Sequence, residues 1–157
     1  MSESTNPPAN QFRTMQIIYG SFMLGILAFS LFAYFSIDNL VYEIDMDDVF
    51  TFIVPFLALS GVFISPILYK STIHKIQSTD TLQTKIATYQ SATIIKGAML
   101  EAPALLAVVA AFLANNGVFL IIVALLLIIM YLRFPSQEKF ENEVDLSMEE
   151  KSKIDKL

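Results

Sequence analysis

The sequence predicts an all-α membrane protein of four transmembrane helices arranged as two hairpins. Three observations predict it. Of 157 residues, 55% are hydrophobic and the mean hydropathy is +0.59, which is more apolar surface than a soluble domain of this size buries in one core. The apolar residues gather into four stretches, at about 16–37, 49–69, 92–114 and 117–134; at about 1.5 Å per residue each approaches the thickness of a hydrocarbon core of about 30 Å. Finally, charge is confined to the segments outside these stretches, with Lys96, Glu101 and the terminal Arg133 as exceptions. Barrel strands would be shorter and would alternate polar with apolar residues, which these stretches do not.

Taken in order, residues 1–11 are polar, include Pro7 and Pro8, and are expected to form a disordered arm. The first span ends at Tyr34, Phe35 and Ser36 without a small-x-small cleavage pattern, so it is expected to stay in the mature chain. The loop that follows holds Asp38, Glu43, Asp45, Asp47 and Asp48 and no Lys or Arg. In the second span Pro55 and Pro66 remove amides that would have bonded the Thr51 and Val62 carbonyls, producing kinks that serve either gating or packing. Asp80 with Gln83 reads as a capping box, and Leu82, Ile86 and Tyr89 carry a helical stripe into the third span, which should therefore extend beyond the bilayer. Asn115 and Asn116 mark the turn into the fourth helix, and Pro135 stops it. In the tail, residues 136–157, Ser147 with Glu150 forms a second capping box ahead of Lys151, Lys153 and Lys156, predicting a short surface helix, mobile or lightly docked.

The net charge of -5 matters less than its placement. Arg13, Lys70, Lys75, Lys85, Arg133 and Lys139 fall on one side of a four-span topology and the acidic loop on the other, so the positive-inside rule predicts cytoplasmic N- and C-termini. Tyr34, Phe35 and Tyr42 are expected at the outer headgroups, and Phe12, Tyr69, Tyr89, Tyr131 and Phe134 at the inner ones.

A shift of 77 residues lays Ile17, Ile18 and Gly20 on Ile94, Ile95 and Gly97, and Ala33, Phe35 and Asn39 on Ala110, Phe112 and Asn116. It also lays Ser21 and Gly25 on Ala98 and Ala102, giving each half a small-xxx-small pair suited to close helix packing. Gly20, Ser21, Gly25, Gly97, Ala98 and Ala102 are the packing residues this predicts. An internal parallel repeat would follow; the alternative is chance similarity between apolar helices that share a small alphabet.

Glu101 is the one acidic residue inside a span, about 13 Å from Ala92 and near the bilayer centre. Ionised there, it costs at least about 2.5 kcal/mol, so it should face the bundle interior, find hydrogen bonds or stay protonated. It is read either as a proton- or cation-binding site or as a packing residue, with Pro103 freeing the Met99 carbonyl nearby and Ser60 the expected partner at similar depth. Lys96 stands five residues earlier, about 140° around the helix, so a direct pair with Glu101 is not expected and Lys96 should snorkel to the headgroups. Asp45, Asp47 and Asp48 lack the glycine turn and distal glutamate of an EF-hand, and the single His74 beside Lys75 makes no catalytic or metal cluster. With no cysteine, disulfides and thiolate chemistry are excluded. No metal, cofactor or nucleic acid is expected.

The run Ala98, Met99, Leu100, Glu101, Ala102 followed by Ala, Leu and Val resembles the carboxylate-bearing helix of rotary ATP synthase proteolipids, which implies a proton-carrying rotor ring. Those helices are rich in glycine, of which this chain has five, and carry the carboxylate on the second helix of a hairpin. Over a longer stretch, Phe12 to Gly25, Tyr89 to Ala102 and Leu132 to Pro135 resemble a group of small four-helix bacterial inner-membrane proteins. That resemblance implies the architecture and the membrane, and no activity. The resulting expectation is a non-enzymatic accessory or structural subunit, self-associated or joined to other membrane proteins within the lipid bilayer. The alternative is a small proton- or cation-coupled transporter or channel subunit using Glu101.

Overall fold

The computed structural model describes residues 8–154, all of whose regular elements are helices: α1 (Pro8–Ser36), α2 (Phe50–Ile73), α3 (Leu82–Ala114), α4 (Val118–Leu132), α5 (Gln137–Glu143) and α6 (Met148–Ile154). Pro8 opens α1, where a missing amide is harmless. The expected arm is therefore helical from residue 8 onward, and its residues 1–7 lie outside the described residues. The N-cap of α3 is Thr81, one residue after the predicted Asp80: Thr81 has extended backbone and its hydroxyl accepts the Thr84 amide at 3.2 Å, while Asp80 accepts the Gln77 amide at 2.8 Å. At the other end Asn115 closes α3 in the left-handed region, φ 51°, a conformation asparagine tolerates better than most residues.

Helix α3 is the centre of the molecule. It packs on α1, α2 and α4, whereas α1 and α2 have no extensive contact with each other. Its buried positions Ala104, Ala107, Ala110 and Ala111 supply small side chains over which Ile26, Val54, Val123 and Leu126 close the main core, with Leu100 of α3 buried in the same cluster. Gly61 makes the closest α2–α3 approach, since a Cβ there would stand 2.5 Å from the Met99 carbonyl oxygen. That carbonyl is the one Pro103 leaves without an amide partner, so the kink and the glycine occupy one contact.

Two ends are chemically distinct. At the acidic end, Val41 runs beside the α3–α4 turn: its amide bonds Asn115 O at 3.0 Å, its carbonyl takes the Gly117 amide at 2.7 Å, and Asn116 donates to Glu43 O at 2.6 Å. Gly117 has no room for a side chain because the Tyr42 ring lies against it.

At the basic end a second core forms, and it departs from the sequence expectation of a mobile or lightly docked tail. Phe140, Val144, Leu146 and Ile154 are buried against Phe12, Met15, Ile86 and Tyr89. Phe140 meets Phe12 and Tyr89 edge-on, with ring centroids 5.1 and 5.0 Å apart. Phe12, Tyr69 and Tyr89 are core residues covered by α5, whereas Tyr34, Phe35, Tyr42 and Tyr131 are exposed.

Helices α1, α2 and α3 are each long and apolar enough to cross a membrane. The fourth predicted span, α4, is apolar but 15 residues long, and reaches that standard only together with α5, from which it bends by 69°.

Candidate functional site

Glu101 lies on α3 about 20 Å from its Ala114 end, well inside the apolar stretch, and is partly exposed. It takes part in no hydrogen bond or ion pair among the described residues. The expected partner Ser60 is turned elsewhere: its hydroxyl donates to Phe56 O of its own helix at 2.8 Å. Ser60 lines a shallow α2–α3 groove with Leu57, Gly61, Met99, Ala102 and Pro103, and Glu101 is not part of it. The correction has a simple cause, for equal depth on two helices does not make two side chains face each other. One turn before Glu101, Gly97 sits under the Tyr19 and Phe22 rings of α1, 3.0 to 3.1 Å from where its Cβ would be.

The other predicted packing residues divide. Gly97 is a tight contact, as the small-residue pattern requires. At Gly20 and Gly25 an added Cβ would meet nothing within 4 Å, and Ser21, Ala98 and Ala102 are exposed, so none of these five seats a helix of this chain. A second glycine that seats a helix, Gly61, stands outside the pattern. Lipid is as apolar as a helix partner, so small residues facing either one give the same sequence.

Lys96 does not snorkel outward. Its ammonium lies 4.1 Å from the centroid of the Tyr69 ring on α2, a cation–π contact, and is pointed away from Glu101 as the five-residue spacing requires. The Tyr69 hydroxyl in turn donates to the Glu143 carboxylate of α5. Lys96 thus ends in a protein network that ties α2, α3 and α5 together.

Two further contacts at that end have no signal in the sequence pattern. Arg133 reaches back from the end of α4 to the kink of α2, donating to Ser65 Oγ at 2.9 Å and through both terminal nitrogens to Val62 O at 3.4 Å. Val62 O is the acceptor that Pro66 orphaned; the sequence marks the acceptor but not the distant donor. Lys85, with its side chain 2% exposed, is held by Asp145 O at 2.9 Å and by Glu150 at 3.0 Å. Glu150 also closes the predicted capping box, accepting the Ser147 amide at 2.8 Å while its own amide bonds Ser147 Oγ at 3.2 Å. Burial pushes the Glu150 carboxyl up, but the Ser147 amide and the Lys85 ammonium outweigh it and hold the group below its ordinary range.

These features define a multi-pass helical membrane protein with a locked basic end and one unpartnered carboxyl group in its apolar zone. Comparison with protein families, curated proteins and solved structures gives no match to this chain.

Proposed function

We propose that the protein is a four-span, non-enzymatic subunit of a membrane assembly in a bacterial inner membrane, with both termini cytoplasmic. It binds its neighbour, a second copy or another membrane protein, through the α3 face around Glu101. One observation carries this reading: a partly exposed carboxyl group in the apolar zone of α3, with no partner among the described residues. Facing lipid, the ionised group costs at least about 2.5 kcal/mol, and a neighbouring helix that supplies a hydrogen-bond donor removes that cost. Exposed Ala98 and Ala102 on the same helix let such a helix approach closely. The four-span topology and its orientation rest on the placement of Arg13, Lys70, Lys75, Lys85, Arg133 and Lys139, and the two-hairpin repeat rests on the 77-residue correspondence.

The test is a photo-crosslinking amino acid placed at Ala98 or Ala102 in native membranes. A protein adduct of fixed mass is expected, with lower yield in Glu101→Leu. Adducts to lipid alone at both positions would overturn the reading. Exposure of the carboxyl also favours a second reading, proton or cation coupling. Under it Glu101→Gln preserves the adduct but abolishes proton-driven flux in vesicles, whereas a packing residue tolerates Gln in both assays.

A further inference from the structure

Between α1 and α4 runs a groove of about 530 Å³, walled by Gly20, Leu24 and Leu27 on one side and by Leu127, Ile128 and Tyr131 on the other. Its lining is almost wholly apolar. It exists because Gly20 leaves the α1 wall without a side chain, and nothing stands within 4 Å of where a Cβ would be. Toward the basic end, Arg13 lies seven residues before Gly20, which returns it to within about 20° of the same helix face. Arg13 is exposed, and no carboxylate of the described residues pairs with it. The other arginine, Arg133, is committed to Val62 and Ser65. On one strip of surface the molecule therefore presents a guanidinium without a carboxylate partner among the described residues, followed by an apolar channel entering the membrane zone.

We propose that this strip binds one anionic phospholipid from the leaflet at the Arg13 end, an acyl chain lying in the groove and the phosphate bonded to Arg13. Charge complementarity selects this occupant. A guanidinium matches a phosphate in a bidentate fork, and a lipid whose headgroup carries no compensating ammonium keeps its full attraction to it. The site is separate from the α3 face around Glu101, and either assignment can fail without the other.

The experiment uses the full chain in nanodiscs of equal phosphatidylglycerol and phosphatidylcholine, with retained lipid measured by native mass spectrometry after extraction. The unmodified protein should hold phosphatidylglycerol in preference. Gly20→Leu fills the groove from open space and should lower retention of both lipids roughly tenfold. Arg13→Gln should keep a chain in the groove but bring the two lipids to nearly equal retention. Leu24→Trp, at a site 66% exposed, repeats the blockade should Gly20→Leu fail to fold. Unchanged retention in the blocked variants, a phosphatidylglycerol preference that survives Arg13→Gln, or a change of oligomeric mass in Gly20→Leu in place of lipid loss would each overturn the proposal.

Discussion

Replacing Glu150 with alanine should release α6 while leaving the membrane-zone helices in place. Lys85 is buried, and among the described residues its one carboxylate partner is Glu150 at 3.0 Å; after the substitution only Asp145 O remains to it there. Removing one member of a buried ion pair costs about 3 to 5 kcal/mol because the other charge is left unmatched. Opening of α6 relieves that cost by returning Lys85 to water. Of the apolar tail anchors, Leu146 and Ile154 flank the Glu150 contact, and withdrawing them exposes two side chains worth about 1.5 to 3 kcal/mol each when fully buried. Phe140 and Val144 can stay docked, so the opening is confined to residues 146–154. Relief of about 3 kcal/mol corresponds to a change of roughly 100-fold in the open population. Amide hydrogen exchange across 146–154 reads it directly, with the α3 amides as the internal control. The double replacement Lys85→Met with Glu150→Met should recover most of the protection, since an apolar pair of similar size can substitute for a buried ion pair. Acid should act like Glu150→Ala. The Glu150 carboxyl is held below its ordinary value, so its contribution is complete above about pH 4.3, the unfolded glutamate value, and is lost as pH falls through the folded one. Unchanged exchange at 146–154 in Glu150→Ala would refute the argument.

Further outcomes follow from the same geometry. Arg133→Leu should destabilise the detergent-solubilised protein by about 1 to 3 kcal/mol by orphaning Val62 O, and Pro66→Ala in that background should restore part of the loss by supplying the missing amide; a melting series checks both. Gly61→Ala should cost about 1 to 3 kcal/mol through overlap with Met99 O, whereas Gly25→Ala, into open space, should be neutral or stabilising by up to about 1 kcal/mol from helix propensity; equal melting shifts would contradict the packing described. Cysteines introduced into this cysteine-free chain at Asp45 and Ser78 should label from opposite sides of the membrane, the first from outside, and labelling of both from one side would reject the proposed topology.

The long helices were legible because hydropathy reports length, and the observed ends of α2 and α4 fall within a few residues of the apolar stretches. Which way each helix turns was not legible. In a soluble helix a polar stripe identifies the outer face, but here lipid-facing Leu24, Phe56 and Ile128 look no different from buried Ile26, Val54 and Leu126. Gly20 and Gly25 therefore read as packing residues in the sequence, whereas Gly61 does not. The docked tail is hidden in the sequence for the opposite reason. Its anchors Phe140, Val144, Leu146 and Ile154 follow no single helical period, because they belong to two short helices and the link between them. At the candidate site, the depth of Glu101 could be counted along the chain, but its lack of a partner could not.

The position of α3 also fixes an order of assembly. Helices α1 and α2 reach the membrane first, yet each finds its main contact surface on α3, and the two touch each other little. A nascent chain ending at Ile73 would hold two inserted helices diffusing as separate lipid-solvated rods. Tertiary structure begins only when α3 arrives, and the α2 kink is secured only when Arg133 follows. The acceptor at Val62 thus waits through the synthesis of about 70 further residues for its donor, which makes the interval between α2 and Arg133 the period in which a chaperone or insertase would have the most to protect.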